Sequence, residues 1–376
     1  MWIRKPFPGV LTLVLSVVWL TACSPGPGVP EAQPLDAMTL LGGDLDEGFE
    51  RAIKPRTFLF PEDHGPHPGF RNEWWYITGN LDDGAGRRFG YQITFFRVSL
   101  APTAPESASA WATNQVWMAH LAVTDVAGIG HRAFERFSRG AMGLAGARLD
   151  PFRVWLDDWV LASDGGNDFP WRLMASSGDI ELELRLMPQK PHVLQGDRGL
   201  SRKSAAPGNA SYYYSFTRLR TEGVIRIQGR EHGVSGLSWM DREWSTSALE
   251  EGQVGWDWFS LQLADGHDVM YYRFRREDGS EDPFSKGLWV TPEGESALIG
   301  VEQARLEVLE RWTGPTGHRY PVAWRLHLPV QGRVLEIRAV RPDQEMDLSV
   351  RYWEGAVDVL EAGEVTGRGY VEMTGY

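Results

Sequence analysis

The sequence predicts an all-β body made of two tandem antiparallel β-barrels that arose by internal duplication, and three observations carry that prediction. Apolar and charged residues alternate over full strand lengths, as in Ile180-Glu181-Leu182-Glu183-Leu184-Arg185-Leu186, the period of a strand with one buried face. Turn signals recur between such runs, among them Asp83-Gly84, Asp265-Gly266 and Asp278-Gly279, where glycine supplies the positive φ that tight hairpins need. Separated stretches of the first half also return in the same order in the second, the signature of a repeated unit.

The chain begins with Arg4 and Lys5, then an apolar run from Val10 to Leu20, then Leu20-Thr21-Ala22-Cys23. That is the three-part layout of a secretory signal over residues 1–22, too short to span a bilayer. A cysteine directly after small residues resembles the bacterial lipobox, so Cys23 is the expected lipidation site. Several acyl chains, each stabilising insertion by about 0.8 kcal/mol per buried methylene, give durable attachment. Cys23 is the only cysteine of the 376 residues, which removes disulfides and cysteine-ligated zinc from consideration. Ser24 rather than an aspartate follows it, which favours the outer over the inner membrane on the periplasmic side of the envelope. Residues 23–55, opening Ser24-Pro25-Gly26-Pro27-Gly28, read as a flexible tether. Without Arg4 and Lys5 the chain holds 36 basic against 50 acidic residues, a net charge of −14. Such a surface argues against nucleic acid as a partner.

The barrels are expected at 56–245 and 246–376. Trp74-Trp75-Tyr76 leads through Leu81 to Asp83-Gly84, as Trp256-Asp257-Trp258 leads through Leu263 to Asp265-Gly266. Trp171 precedes Arg185 by fourteen residues, and Trp324 precedes Arg338 by the same interval. Glu222-Gly223 leads to Gly236 and Met240, as Glu354-Gly355 leads to Gly369 and Met373. The first copy has the longer loops, around Pro102–Ala110 and Gln195–Asn209. Antiparallel units of this size must hide their edges, and barrel closure does so; a two-sheet sandwich in each half is the competing architecture.

Three stretches carry a family resemblance: Pro68-Gly69-Phe70-Arg71-Asn72-Glu73-Trp74-Trp75-Tyr76-Ile77-Thr78-Gly79-Asn80-Leu81, Trp239-Met240-Asp241-Arg242-Glu243-Trp244-Ser245-Thr246 and Gly255-Trp256-Asp257-Trp258-Phe259. They resemble the AttH-like family of secreted lipocalin-like proteins, whose enzymatic relatives are carotenoid 1,2-hydratases. The ending, from Tyr352-Trp353-Glu354-Gly355 to Gly369-Tyr370-Val371-Glu372-Met373-Thr374-Gly375-Tyr376, fits as well. The resemblance implies two calycin-type barrels and, in the hydratases, acid-catalysed addition of water to a terminal isoprenoid double bond. The hydratases carry a histidine near the matching tryptophan, where this chain has Arg242 and Glu243 beside Trp244.

Comparison of the copies sorts shared scaffold from residues that one copy alone carries. Trp74 and Trp256 occur in both and read as packing residues. Glu73 falls opposite Gly255, and Asp241 and Glu243 fall opposite the end of the chain, where no acid pair stands. A carboxyl inside an apolar barrel has its pKa raised and becomes a proton donor near neutrality. On this reading Asp241 is the acid, Glu243 positions water, and aromatic faces from Trp244, Trp256, Trp258 and Tyr271 stabilise a carbocation by about 0.5 to 2 kcal/mol each. The rival reading makes 241–243 an exposed turn between the barrels. Glu73, Trp75, Tyr76, His120, Trp244, Trp258 and Tyr271 are the expected ligand-binding set, although His120 also reads as a hydrogen-bonded core residue. His64 and His67 read as a plain loop without metal, no cofactor motif is present, and no Gly-x-Ser-x-Gly elbow appears.

The leading functional expectation is therefore a lipid-anchored protein that binds a lipophilic isoprenoid or acyl ligand and serves an ABC-type exporter. The alternative is a hydratase or hydrolase acting through Asp241 and Glu243. A third expectation is a structural lipoprotein whose barrels are filled by side chains.

Overall fold

The computed structural model describes residues 1–2, 47–247 and 249–376. Cys23, the rest of the signal segment beyond Trp2, and the tether up to residue 46 lie outside the described residues. By proximity the chain divides into a leading unit, Met1–Gln33, of which Met1 and Trp2 are described, and a compact unit, Pro34–Tyr376, that contains every strand.

Among the described residues, thirteen strands make the first sheet: β1 (Asn72–Asp83), β2 (Arg88–Ser99), β3 (Gln115–Asp125), β4 (Gly130–Arg139), β5 (Ala145–Arg148), β6 (Arg153–Leu156), β7 (Trp159–Ser163), β8 (Trp171–Ser177), β9 (Ile180–Pro188), β10 (Val193–Leu194), β11 (Leu200–Arg202), β12 (Ala210–Ile227) and β13 (Arg230–Ser245). Ten make the second: β14 (Gln253–Leu263), β15 (Asp268–Arg276), β16 (Lys286–Val290), β17 (Ser296–Gly300), β18 (Arg305–Thr313), β19 (Arg319–Leu328), β20 (Arg333–Ala339), β21 (Glu345–Asp347), β22 (Arg351–Glu361) and β23 (Glu364–Thr374). The only helical turns among these residues are 3₁₀, at Glu62–His64 and Val301–Gln303.

Each antiparallel sheet curls into a nearly closed barrel, and the two share one strand order. The first runs β4-β3-β2-β1-β13-β12-β9-β8-β7-β6-β5, and the second runs β17-β16-β15-β14-β23-β22-β20-β19-β18. Nine strands thus correspond one to one, with β5 and β6 additional in the first barrel. Cross-strand pairing then fixes which residues are equivalent. Leu81 pairs with Gly236 and Leu263 with Gly367, so Gly236 corresponds to Gly367 and not to Gly369. Glu354 pairs with Glu372 as Ser215 pairs with Asp241, so Glu354 stands in the place of Ser215 and not of Glu222. Asp241 consequently has an acidic counterpart, Glu372, contrary to the expectation that the second copy carries none there. The spacing match failed because bulges and hairpin lengths differ between the copies, including the register shift between Phe216 and Leu219.

Side-chain alternation shows where each barrel packs. β9 alternates buried and exposed positions because its outer face meets water, whereas β1 is buried along nearly its whole length. The reason is that β1 is covered on both sides. Trp75, Ile77 and Leu81 point into the first barrel with Trp171 and Trp244, while Tyr76 points out against the second barrel. Phe259, Leu261, Trp324, Trp353 and Val371 fill the second interior. Full burial of such large side chains contributes about 1.5–3 kcal/mol each.

The barrels meet across the outer faces of their corresponding strands. Tyr76, Tyr213 and Trp239 of the first pack with Trp258, Met270, Tyr272, Phe274, Ala356 and Tyr370 of the second. Gly90 allows a close approach, since a Cβ there would lie 2.7 Å from the Cβ of Ala356. Buried Asp268 accepts from Lys190 Nζ at 2.7 Å, Thr217 Oγ1 at 2.8 Å and Arg218 Nη2 at 2.6 Å, all from the first barrel. Asn80 Nδ2 donates to Gly369 O at 2.9 Å. These bonds satisfy polar groups that barrel contact removes from water, which would otherwise carry a desolvation cost.

Candidate active site between the barrels

Strand pairing brings two carboxyls to one place. On β13 the odd-numbered residues Trp239, Asp241 and Glu243 face outward while Met240 and Trp244 face the core. β23 does the same with Tyr370, Glu372 and Thr374 against Val371 and Met373. The outward faces enclose a cleft of about 130 Å³, roughly ten times the ~10–15 Å³ that a single water needs. Its walls are mostly aromatic, with Trp74, Tyr76, Phe96 and Tyr213 from the first barrel and Trp256, Trp258, Tyr272 and Phe274 from the second. Tyr76 and Trp258 meet edge to face with ring centres 5.1 Å apart.

Asp241 lies beneath this wall, 3% exposed. Its Oδ2 accepts from Tyr213 Oη at 2.5 Å, and its Oδ1 accepts from Ser215 Oγ at 2.5 Å and Trp239 Nε1 at 2.7 Å. Burial pushes its carboxyl up to about 7 against the pull of those three donors, and the charge of Glu243 adds to the rise. Glu372 Oε1 accepts from Trp256 Nε1 at 2.7 Å. Burial raises its carboxyl to about 7 as well, opposed by the indole N–H and assisted by Asp241 and Glu243. Glu372 keeps part of its side chain accessible, so the shift reflects a wall of low polarity rather than complete enclosure. Glu243 accepts from Ser211 Oγ and lies 2.9 Å from Lys203 Nζ, which itself sits 5.3 Å above the Trp74 ring. Behind the cleft, buried Glu354 accepts from Tyr76 Oη at 2.6 Å, and burial with the nearby charge of Glu372 holds it well above the usual carboxylate range. His120 hydrogen-bonds through Nδ1 to the Tyr352 hydroxyl of the second barrel, and burial pushes it down to about 3. It is neutral at physiological pH.

The structure divides the sequence-derived residues into two groups. Asp241, Glu243, Tyr76, His120 and Trp258 line the cleft. Glu73, Trp75, Trp244 and Tyr271 point into the barrel interiors instead, because they occupy the alternate parity on their strands. Glu73 is fully buried between Arg97 and Arg242 and takes the His67 backbone N–H at 3.0 Å. In the second barrel Asp257 plays the corresponding interior role with Arg273 and Arg275. The Arg242 guanidinium lies 3.8 Å over the Trp75 ring, and His67 stacks on Trp244 at 3.7 Å. Tyr271 donates to Glu281 at 2.6 Å.

Three expectations change accordingly. The candidate acid sits between the barrels rather than inside one, residues 241–243 form a buried part of β13 rather than an exposed turn, and Trp74 and Trp256 are cleft walls rather than plain packing. Glu243 is already engaged by Lys203 and Ser211, which leaves it poorly placed to hold a water. Glu372, Tyr213, Tyr352 and Lys203 escaped sequence reasoning; the parity of β23 opposite Trp258 was the signal for Glu372. His64 ends a 3₁₀ turn and bonds Tyr214 at 2.7 Å. Among the described residues, no group of three or more His, Cys, Asp or Glu side chains has a metal-holding arrangement.

The AttH-like family profile matches residues 51–376. The chain belongs to the AttH-like family. The crystal structure of an AttH protein from Nitrosomonas europaea is similar at 35% identity and a TM-score of 0.78, covering 87% of this chain and 100% of that one. Kievitone hydratase from Nectria haematococca superposes with a TM-score of 0.63 at 13% identity over 87% of this chain and 98% of its own. CghA gives 0.52 at 14% identity over 89% and 97%. At such identities these last two show that the AttH-like body shares their fold. Comparison with curated proteins gives no match.

Proposed function

We propose that the cleft binds a lipophilic small molecule, isoprenoid or acyl, and that Asp241 exchanges a proton with it during addition or removal of water. One observation carries this reading: a carboxyl with its pKa near 7 sits under an aromatic-walled cleft, at the acidity a general acid or base needs near neutral pH. The hydratase among the similar folds contributes the architecture alone, so the chemistry rests on Asp241 and its surroundings. Electron-rich faces of Trp74, Trp256 and Trp258 suit an intermediate with positive charge.

The test uses farnesol, an isoprenoid with a terminal double bond. Binding is read as quenching of tryptophan fluorescence, and hydration as incorporation of deuterium from heavy water. Quenching with hydration that disappears in Asp241→Asn supports the full reading. Quenching without hydration of farnesol or of acyl probes leaves a lipophilic-ligand carrier, and no quenching by either class refutes the proposal.

Export belongs to the same proposal. Arg4, Lys5, the apolar run to Leu20 and Cys23 support lipid anchoring on the periplasmic side, at the outer rather than the inner membrane, where the protein would hand its ligand to or from an ABC-type exporter. Labelled palmitate entering the wild-type chain and not Cys23→Ser, with recovery in the outer-membrane fraction, is the expected result. Equal labelling of both chains would refute the anchor.

A further inference from the structure

Addition of water to a double bond needs two proton-handling groups, and Asp241 is one. The other must be a carboxyl or imidazole that reaches the same cleft without being committed elsewhere. His120 is bonded through Nδ1 to Tyr352, and its burial keeps it neutral. Glu243 is held by Lys203 and Ser211. Glu354 lies behind Tyr76 with no exposed surface. Glu372 differs from all three. It lines the cleft, part of it is accessible, and among the described residues the Trp256 indole is its only hydrogen-bond donor, so Oε2 is uncommitted.

We propose that Glu372, from the second barrel, is the proton donor of the cleft and that Asp241, from the first, is the matching acceptor. This deepens the acid–base reading of the cleft and rests on it. The division of labour follows from hydrogen bonding. Asp241 accepts three donors, each of which favours its carboxylate, whereas Glu372 accepts one. Strand geometry places them together: Tyr76 pairs with Asp241 on β13, Trp258 pairs with Glu372 on β23, and the two rings are in contact. The charge of Asp241 adds to the rise at Glu372, so the proton rests on Glu372 when Asp241 is ionised. The other charged or titratable groups facing Glu372 are Glu243, Glu354, Tyr76 and Tyr352. None of these is a cation, and the ammonium of Lys203 is paired with Glu243.

The step balances without a co-reactant other than water. The O–H bond of Glu372 breaks as the alkene π pair forms a C–H bond, leaving a tertiary cation before the aromatic wall. Water forms the C–O bond and its proton passes to the Asp241 carboxylate. The product is a tertiary alcohol, and one proton returns from Asp241 to Glu372 through solvent. Dehydration runs the same path backwards.

The experiment combines infrared titration of the intact protein with the farnesol assay. Between about pH 6 and 8 the wild type should show titrating carboxyl carbonyl bands from both acids, of which Glu372→Gln removes the one that persists to higher pH and Asp241→Asn removes the other. Hydration of farnesol should fall by about 100-fold or more in Glu372→Gln while its quenching constant stays within about threefold, with partial rescue by Glu372→Asp. Persistence of the higher-pH band in Glu372→Gln, or its loss only in Asp241→Asn, would overturn the assignment even for a protein that turns over no farnesol. Absence of farnesol and acyl-probe quenching in the wild type would instead refute the underlying reading of the cleft.

Discussion

Replacing Glu73 by glutamine should destabilise the protein severely while leaving the cleft untouched. Glu73, Arg97 and Arg242 are 0%, 1% and 0% exposed, so the carboxylate is the internal counter-charge for two guanidiniums sealed inside the first barrel. Glutamine keeps the size and one acceptor but removes the charge, leaving two cations facing each other in low dielectric. Breaking a buried ion cluster of this kind costs about 3–5 kcal/mol. For a barrel of roughly 180 residues, each kcal/mol moves Tm by about 2–4 °C, so Tm should fall by ~6–20 °C. Burial alone would raise the Glu73 carboxyl, but Arg97 and Arg242 override it and hold it well below its usual range. A depressed carboxyl stabilises the fold above its unfolded pKa and loses that contribution as pH falls through the folded value. The gap between wild type and Glu73→Gln should therefore be widest near neutrality and narrow in strong acid. Calorimetry and urea unfolding across pH measure this. A loss below about 1 kcal/mol at pH 7, or altered farnesol quenching with unchanged Tm, would refute the structural role and restore Glu73 to the ligand-binding set.

Two further outcomes follow from the cleft and the contact around it. Asp241 and Glu372 have folded pKa values raised to about 7, so the native state binds more protons than the unfolded chain between about pH 4 and 7, and stability declines as pH rises through that window; Asp241→Asn or Glu372→Gln should flatten the decline in urea titrations, and an unchanged slope in both would contradict the raised values. Gly90→Val places methyl groups against Ala356, where even a Cβ would stand at 2.7 Å, so it should cost about 1–3 kcal/mol and weaken farnesol quenching by prying the cleft walls apart; unaltered stability and quenching would show that the contact is not tight.

The fold was legible because strands with one wet face advertise themselves. Ile180 to Leu186 alternates in sequence and alternates in burial, and strands β1 and β14 align without gaps from Trp74 and Trp256 to Leu81 and Leu263. The site was legible only in part. Asp241 and Glu243 stood out as acids in an aromatic segment, but β1 and β13 are covered on both faces, so hydropathy could not say which parity looks inward. That ambiguity placed Glu73, Trp75, Trp244 and Tyr271 with the ligand when they belong to the interiors. The counterpart of Asp241 was hidden because the path from Glu354 to Glu372 is eight residues shorter than that from Ser215 to Asp241, which spacing cannot correct and hydrogen-bonded pairing can. Turn signals were likewise local: in the first hairpin the positive φ falls at Gly86, whereas Gly266 carries it as the Asp-Gly signal indicates.

Corresponding strands of the two barrels supply the facing walls of the cleft, an arrangement that a dimer of single barrels would place on a twofold axis. In a dimer of identical subunits, every residue on such an axis must face a copy of itself, so a change in one half is forced on the other. Joining both halves in one chain lifts that constraint. Tyr76 answers to Trp258, Ser215 to Glu354, Glu243 to Thr374 and Asp241 to Glu372, and each pair has become chemically unequal. A ligand in this cleft therefore meets a directional environment: turning it end for end exchanges a carboxyl with three donors for one with a single donor, and a lysine-paired glutamate for a threonine. The fused chain can distinguish the two end-for-end orientations of a ligand, which strict twofold symmetry would make equivalent.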